Sequence, residues 1–362
     1  MVKPINIDID RRNDLPKLNK GLNIEEPLAL LSYLRSTGRL SADETPSIRR
    51  LSGGVSNRTM LVEREKGEAW VIKQALTKLR VAVDWFSSPQ RIEREAEGLR
   101  WLARIAPPGS ITPLVFADPS NHLFAMQAVA HPHANWKVLL MSGQISSRYV
   151  EQFGRLLGTI HASGFRERGI LAQVFGDRSF FESLRIEPYY LYAGSQVPQV
   201  STFLQALVDE IDRNAVTVVH GDYSPKNVLI YRDNLVLLDH EVIHFGDPAF
   251  DIGFSLTHLL SKAHHFPDLR ADFATAAKLF WRTYEHSVRG LDIKEGLEER
   301  AVRHTLACLL ARVAGRSPLE YLCREECERQ RDIVIALMDE PPSTVVNLIG
   351  LFTEMLGDYD RN

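Results

Sequence analysis

"HGDYSPKNVLI" (residues 220–230) sets a histidine, an aspartate, a lysine and an asparagine between two apolar runs, "VTVV" and "VLIY". The runs read as short strands. A plain connection between such strands needs about two to five residues, usually with Gly or Asn. The polar content here exceeds what a turn needs. Asn227 stands five residues after Asp222, and Asp239, in "LVLLDHE", stands twelve after Asn227. A short strand pair between them would bring Asp222, Asn227 and Asp239 to one end of a ribbon. Two carboxylates and an amide oxygen make a hard-oxygen set suited to Mg²⁺. Asp222 would then be free to take a proton from a hydroxyl. The alternative is a solvated polar hairpin.

Upstream, "LSGGVSNRTM" (residues 51–60) places Gly53, Gly54, Ser56 and Asn57 between two apparent strands. Glycine lets backbone N–H groups approach phosphate oxygens, although Gly-Gly between strands is also an ordinary turn. In "WVIKQA" (residues 70–75), Trp70 and Ile72 alternate with Val71 and Lys73. A lysine on an otherwise apolar strand calls for a phosphate or a carboxylate, unless it snorkels at an edge. The helix expected over "QRIEREAEGLRWLAR" (residues 90–104) carries Ile92, Ala96, Leu99 and Ala103 on one stripe. Glu95 lies about 60° from Ile92, beside the stripe, and Glu93 and Glu97 point further away. Glu95 is therefore the carboxylate best placed to meet Lys73.

The chain of 362 residues is long enough for two lobes. Residues 1–129 read as a β-rich front with an N-terminal extension. They include an amphipathic helix in "EEPLALLSYLRSTGRL" (residues 25–40), marked by Leu28, Leu31 and Leu34. "AHPHAN" (residues 130–135) reads as the hinge, and 136–362 as a mostly helical back. The class is α+β and bilobal, a β-rich lobe with one key helix before an α-helical one. A net charge of −3 without long single-sign runs argues against a nucleic-acid partner. The polar N-terminus suggests no signal peptide, and no apolar run suggests a membrane span. Three cysteines, Cys308, Cys323 and Cys327, fit a reducing cytoplasm and packing better than disulfides or a metal site. The tyrosines of "EPYYLY" (residues 187–192) read as aromatic core.

The Asp222–Asn227 spacing followed by Asp239 resembles the kinase catalytic loop and its metal-binding aspartate. With "LSGGVSN", "REAEGLRWL" and "GDPAFDIG" it makes a set. Over roughly residues 48–340 the chain resembles the aminoglycoside phosphotransferase and choline kinase group, which has a protein-kinase-like fold. Within the group, "VIKQALTKLRVAVDWFSSPQRIEREAEGL" and the D-x-E of "LLDHE" look most like methylthioribose kinases. Two departures stand out. Asn227 is usually lacking in that subgroup, and its paired substrate arginines have one counterpart here, Arg312.

The resemblance implies ATP and Mg²⁺ as cofactors and a small-molecule hydroxyl as acceptor, with no nucleic-acid or membrane partner. Oligomeric state is unassigned, a homodimer being one option. Asp222 would align or deprotonate the acceptor, and Asn227, Asp239 and Glu241 would hold Mg²⁺. On a regular strand Asp239 and Glu241 would share one face, with His240 opposite. Lys73, held by Glu95, would contact phosphates. Gly53, Gly54, Ser56 and Asn57 would cradle them, and the backbone of Gln127 and Val129 would bind adenine. Asp251 would brace the loop at His220, or serve as a helix N-terminal residue, or both. Kinases of aminoglycosides, choline- or homoserine-type amines or hydroxyacyl thioesters remain alternatives, as does a non-catalytic nucleotide-binding module.

Overall fold

A computed structural model of the protein describes residues 21–51, 54–80 and 85–361, so Gly53 lies outside the described residues. Helix α1 (Pro27–Ser36) precedes a five-stranded antiparallel sheet. Its strands are β1 (Ser47–Arg50), β2 (Asn57–Glu63), β3 (Trp70–Ala75), β4 (Leu114–Asp118) and β5 (Leu123–Gln127), in the order β1-β2-β3-β5-β4. Helix α2 (Arg91–Ile105) lies between β3 and β4 in the chain.

The alternation on β3 does what the sequence implies. Trp70 and Ile72 join Met60, Val62 and Leu123 against Leu30 and Leu34 of α1. Each such side chain contributes about 1.5–3 kcal/mol on burial. The α1 stripe differs from expectation at Leu28, which is 67% exposed. Leu28 stands about 200° around the helix from Leu30 and so faces solvent. On α2 the stripe continues through Leu102 and Ile105, and Ala103 is exposed. Gly98 permits a close approach: a Cβ there would stand 3.0 Å from His240 Cβ and 3.1 Å from Ile243 Cγ2. That contact seats α2, and Glu95 with it, on the segment that carries Asp239.

The expected linker gives its last two residues to β6 (Ala134–Asn135), the edge of a second sheet. After it come α3 (Trp136–Met141), α4 (Ser147–Arg166) and α5 (Arg168–Phe175). Next stand α6 (Ser179–Phe181), a π-helical stretch Glu182–Leu191, α7 (Tyr192–Gln196) and α8 (Ser201–Ile211). The π-helical stretch holds Pro188, which has no N–H to donate. Its Tyr189 and Tyr190 are buried, as expected for core. Strand β7 (Thr217–Val219) pairs with β10 (His244–Gly246), and β8 (Val228–Tyr231) lies between β6 and β9 (Asn234–Leu237).

Five long helices complete the back lobe: α9 (Ala249–His265), α10 (Arg270–Ser287), α11 (Leu297–Ala314), α12 (Arg324–Asp339) and α13 (Val345–Arg361). Helix α9 is buried along almost its whole length, and buried polar residues such as Asp251, Ser255, Thr257 and Lys262 are hydrogen-bonded. One core continues from α2 into this lobe. A smaller cluster, Leu79, Trp85, Leu184 and Val242, ties the loop after β3 to the π-helical stretch. Among the described residues no helix is long and apolar enough to cross a membrane.

Candidate active site

Between the lobes lies a cleft of about 1370 Å³ that brings Lys73, Asp222, Asn227, Asp239, Glu241 and Arg312 to one space. Glu95, His220 and Asp251 stand behind its walls.

The catalytic-loop segment is held through its backbone. Asp251, in the first turn of α9, is fully buried and accepts the N–H of His220 (2.6 Å) and of Gly221 (2.8 Å). His161 adds a contact to the same carboxylate at 3.2 Å. Burial opposes ionisation of Asp251, but His161 and the backbone donors outweigh it and hold its carboxyl below the ordinary range. The expected brace is thus present, and it sits at a helix N-terminus as well. Gly221 adopts φ +77°, where a Cβ would stand 2.9 Å from the Val242 carbonyl oxygen. His220 Nδ1 accepts the Asp222 N–H (3.2 Å), and burial lowers the His220 pKa, which favours the neutral ring. Asn227 Nδ2 donates to Asp222 Oδ2 (2.7 Å) and to the Asp222 carbonyl (3.0 Å). That fixes the amide and turns its oxygen away from Asp222.

The opposite wall is held by side-chain charges. Lys73 Nζ lies 2.6 Å from Glu95 and 2.8 Å from Asp239. Burial disfavours the ammonium, but the two carboxylates overcome that and hold Lys73 above its usual range. Asp239 is likewise resisted by burial and then driven below the carboxylate range by Lys73 and Lys226. Glu95 is pushed up to about 7, chiefly by burial, with Asp239 and Glu241 adding to it against Lys73. Three carboxylates share this space, and Glu95, Asp239 and Glu241 each offer an oxygen within 4.8 Å of the others.

The route by which Asp239 and Glu241 meet differs from expectation. Strand β9 ends at Leu237, and Asp239 has φ +69°. A left-handed turn, not the alternation of a strand, aims both acids inward. Glu95 joins them as a third acid, and the Asn227 amide N–H is bonded to Asp222.

Two arginines escaped the sequence reading. Arg91 is fully buried at the start of α2. It contacts Glu241 (3.2 Å), the carbonyls of Ser87 (3.2 Å), Ser88 (3.0 Å) and Leu76 (2.8 Å), and the Ser56 carbonyl. It thereby ties the loop between β1 and β2 to the acidic cluster. Its spacing of four residues before Glu95 put both on one helix face, which was a usable signal. The second is Arg185, whose Nη2 lies 3.0 Å from Asp222 Oδ1. No local pattern marked it, because the π-helical turn that presents it does not follow the 3.6-residue period.

Gly54, Ser56 and Asn57 line the cleft. Asn57 Nδ2 donates to Glu241 (3.3 Å). Gln127 and Val129 line the cleft as well. The Gln127 N–H is bonded to the Pro113 carbonyl and the Ala128 N–H to that of Ala69. The Val129 N–H has no protein acceptor among the described residues. Arg312 is buried and donates to Tyr189 Oη (2.8 Å) and to the Ser317 carbonyl (2.6 Å). Its Nε is buried without a partner. Arg316 instead pairs with Glu187 at 2.9 Å, away from the cleft.

An ion fits the acidic cluster. Three carboxylates contact Lys73 and Arg91, and Glu95 Oε2 and Asn57 Oδ1 are buried without partners. Unsatisfied buried oxygens beside clustered carboxylates suit a hard cation.

Residues 47–291 match the model of the Phosphotransferase enzyme family (APH), more than half of the chain, and the chain belongs to that family. Its similarity to the methylthioribose kinase of Pectobacterium carotovorum is 24% identity, covering 83% of each chain. The methylthioribose kinase of Pectobacterium atrosepticum is 25% identical, over 73% of this chain and 74% of the relative. Among solved structures, an amicoumacin kinase in complex with AMP-PNP, Ca²⁺ and Ami aligns with TM-score 0.58 at 14% identity, covering 88% and 95% of the two chains. A choline kinase of Cryptosporidium parvum aligns with TM-score 0.53 at 12% identity, covering 90% and 100%. The fold is the bilobal kinase-like fold, and the protein is a small-molecule phosphotransferase of this family.

Proposed function

We propose that this phosphotransferase moves the terminal phosphoryl group of ATP to a hydroxyl of a small metabolite, with Mg²⁺ in the cleft, and that the acceptor is a sugar of the methylthioribose type. One observation carries the reading. Asp222, gripped by Asn227 and Arg185, shares its cleft with the Lys73–Glu95–Asp239 ion cluster.

In this reading the acceptor oxygen bonds to the terminal phosphorus as the bond to the bridging oxygen breaks. Asp222 aligns the hydroxyl and receives its proton. Lys73 donates to the α- and β-phosphates, and Gly54, Ser56 and Asn57 approach them from the loop. The Gln127 carbonyl and the Val129 N–H meet the adenine edge. Asp239 and Glu241, with the amide oxygen of Asn227, would hold Mg²⁺, which spreads the charge of the transferring group. Arg312 faces the acceptor.

ATP use is supported by the AMP-PNP complex of the amicoumacin kinase, and the sugar acceptor by the two methylthioribose kinases. All three cysteines are free thiols, which favours a reducing cytoplasm.

The test is ADP release by the purified protein with ATP and Mg²⁺ over a panel of sugars, amines, hydroxy acids and antibiotics, methylthioribose first. Saturable release that needs an acceptor supports the reading. ATP binding without acceptor-dependent release from any compound would replace it with a nucleotide-binding module. Turnover confined to amines would remove the sugar.

A further inference from the structure

We propose that Arg185 is a positioning residue for Asp222: its guanidinium sets the rotamer of the catalytic carboxylate and locks the peptide beside it. The inference rests on the kinase reading above and adds a part that neither the catalytic-loop spacing nor the family model assigns.

The carboxylate of Asp222 is gripped on both oxygens. Arg185 Nη2 lies 3.0 Å from Oδ1, and Asn227 Nδ2 donates to Oδ2 at 2.7 Å. Arg185 also grips the adjoining backbone, with Nε donating to the Gly221 carbonyl at 2.6 Å. The Gly221 N–H is held from the other side by Asp251 at 2.8 Å. The two peptide groups that flank the Gly221 Cα are therefore fixed, one at its N–H by Asp251 and the next at its carbonyl by Arg185.

Arg185 has little freedom of its own. Nη1 donates to the Leu184 carbonyl at 2.7 Å, and the guanidinium carbon lies 5.6 Å from the Tyr189 ring centroid and 5.7 Å from that of Phe254. Only 8% of the residue is exposed. A planar fork so held can fix a carboxylate in a way that a lysine's single rotatable ammonium cannot. In phosphoryl transfer, catalysis is mostly positioning and electrostatics. Orientation of the base is therefore the quantity such a residue controls. Its source is the π-helical stretch, a local geometry frequent at functional sites.

The experiment compares Arg185→Ala and Arg185→Lys with wild type by crystal structure, thermal midpoint and steady-state kinetics on the acceptor found in the screen. For Arg185→Ala, kcat should fall on the order of 10–100-fold, a misplacement-sized loss. The KM for ATP and for the acceptor should stay within about twofold. The crystal structure should show the Asp222 carboxylate rotated off its wild-type position. Arg185→Lys should recover part of kcat. Added guanidinium should raise kcat of Arg185→Ala and leave Asp222→Asn unaffected.

Unchanged kcat in Arg185→Ala would overturn the proposal. So would a raised acceptor KM with kcat kept, which would make Arg185 an acceptor ligand. An unmoved Asp222 in the Arg185→Ala crystal structure would also overturn it. If Arg185→Ala does not fold, Arg185→Lys decides: wild-type kcat with Asp222 in place refutes, and a several-fold loss supports. Failure of the kinase reading would show as wild type inactive on every acceptor. The crystal structures would still decide whether Arg185 places Asp222.

Discussion

On the front wall of the cleft, Lys73 reaches Glu95 and Asp239 with a long flexible side chain, and the three meet through side-chain hydrogen bonds between charged groups. On the back wall, Asp222 sits on a loop whose peptide groups are bonded to Asp251 and Arg185, so its place is fixed from the backbone outward. The difference follows from what each wall faces. In the proposed function the front wall would accommodate phosphates and a cation that rearrange its ion pairs. The back wall would keep the Asp222 carboxylate still while the proposed bond is made beside it. Front-wall damage should therefore appear in stability and nucleotide affinity, and back-wall damage in turnover.

The sharpest way to break this contrast is Asp222→Asn. Turnover should fall by about two to four decades, with ATP affinity by calorimetry nearly unchanged. Near-wild-type turnover would move the chemistry off the back wall.

Lys73→Met strikes the front. It strands Glu95 without its cation, and unfolding in denaturant should show a loss of about 3–5 kcal/mol. Adding Glu95→Gln should recover much of that loss. A double mutant no more stable than the single would mean that the two are not coupled.

Arg312→Ala tests the acceptor side, where a buried guanidinium has only neutral partners. The acceptor KM should rise about tenfold or more, as for a charged hydrogen bond of about 1.5–3 kcal/mol, with the ATP KM unmoved. Unchanged acceptor kinetics would put the pocket elsewhere and remove Arg312 from it.

Asp251→Asn should cost about 1–3 kcal/mol at neutral pH, because one buried backbone donor meets an amide N–H. The Asp251 carboxyl is held below its ordinary value of 3.8. Its stabilisation is therefore complete above that value and is lost as pH falls through the folded pKa. The gap between variant and wild type in urea unfolding should narrow below about pH 4. A gap that stays constant on acidification would deny the carboxylate its role. Gly221→Ala should cost the left-handed strain of about 1–2 kcal/mol plus a displacement of the Val242 carbonyl, 2.9 Å from the added Cβ. A stability unchanged by that substitution would mean that the loop relaxes freely.

Much of this was legible along the chain. The β3 alternation placed Lys73 opposite its apolar neighbours, and the α2 period placed Glu95 beside it. The spacing from His220 to Asn227 marked the loop, and "GDPAFDIG" marked Asp251. Such signals are local: they depend on a strand period of 2 or a helix period of 3.6 that survives folding. The α1 stripe was misjudged at Leu28, because leucines at 28, 30, 31 and 34 spread over about 160° of the helix and only packing chose the side of Leu30 and Leu34.

The sequence by itself determined the order of the lobes, the Lys73–Glu95 pair, and the His220–Asn227 loop held by Asp251. The tertiary structure alone decided that Arg185 grips Asp222 and that Arg91 ties the loop between β1 and β2 to Glu241. It also decided that Glu95 joins Asp239 and Glu241 in the acidic cluster. The reason is directional. A left-handed residue at Asp239 and a π-helical turn around Arg185 each break the period from which side-chain direction is read. Where such partners point is set by the packing of distant segments, above all by α2 lying close on residues 240–243 at Gly98.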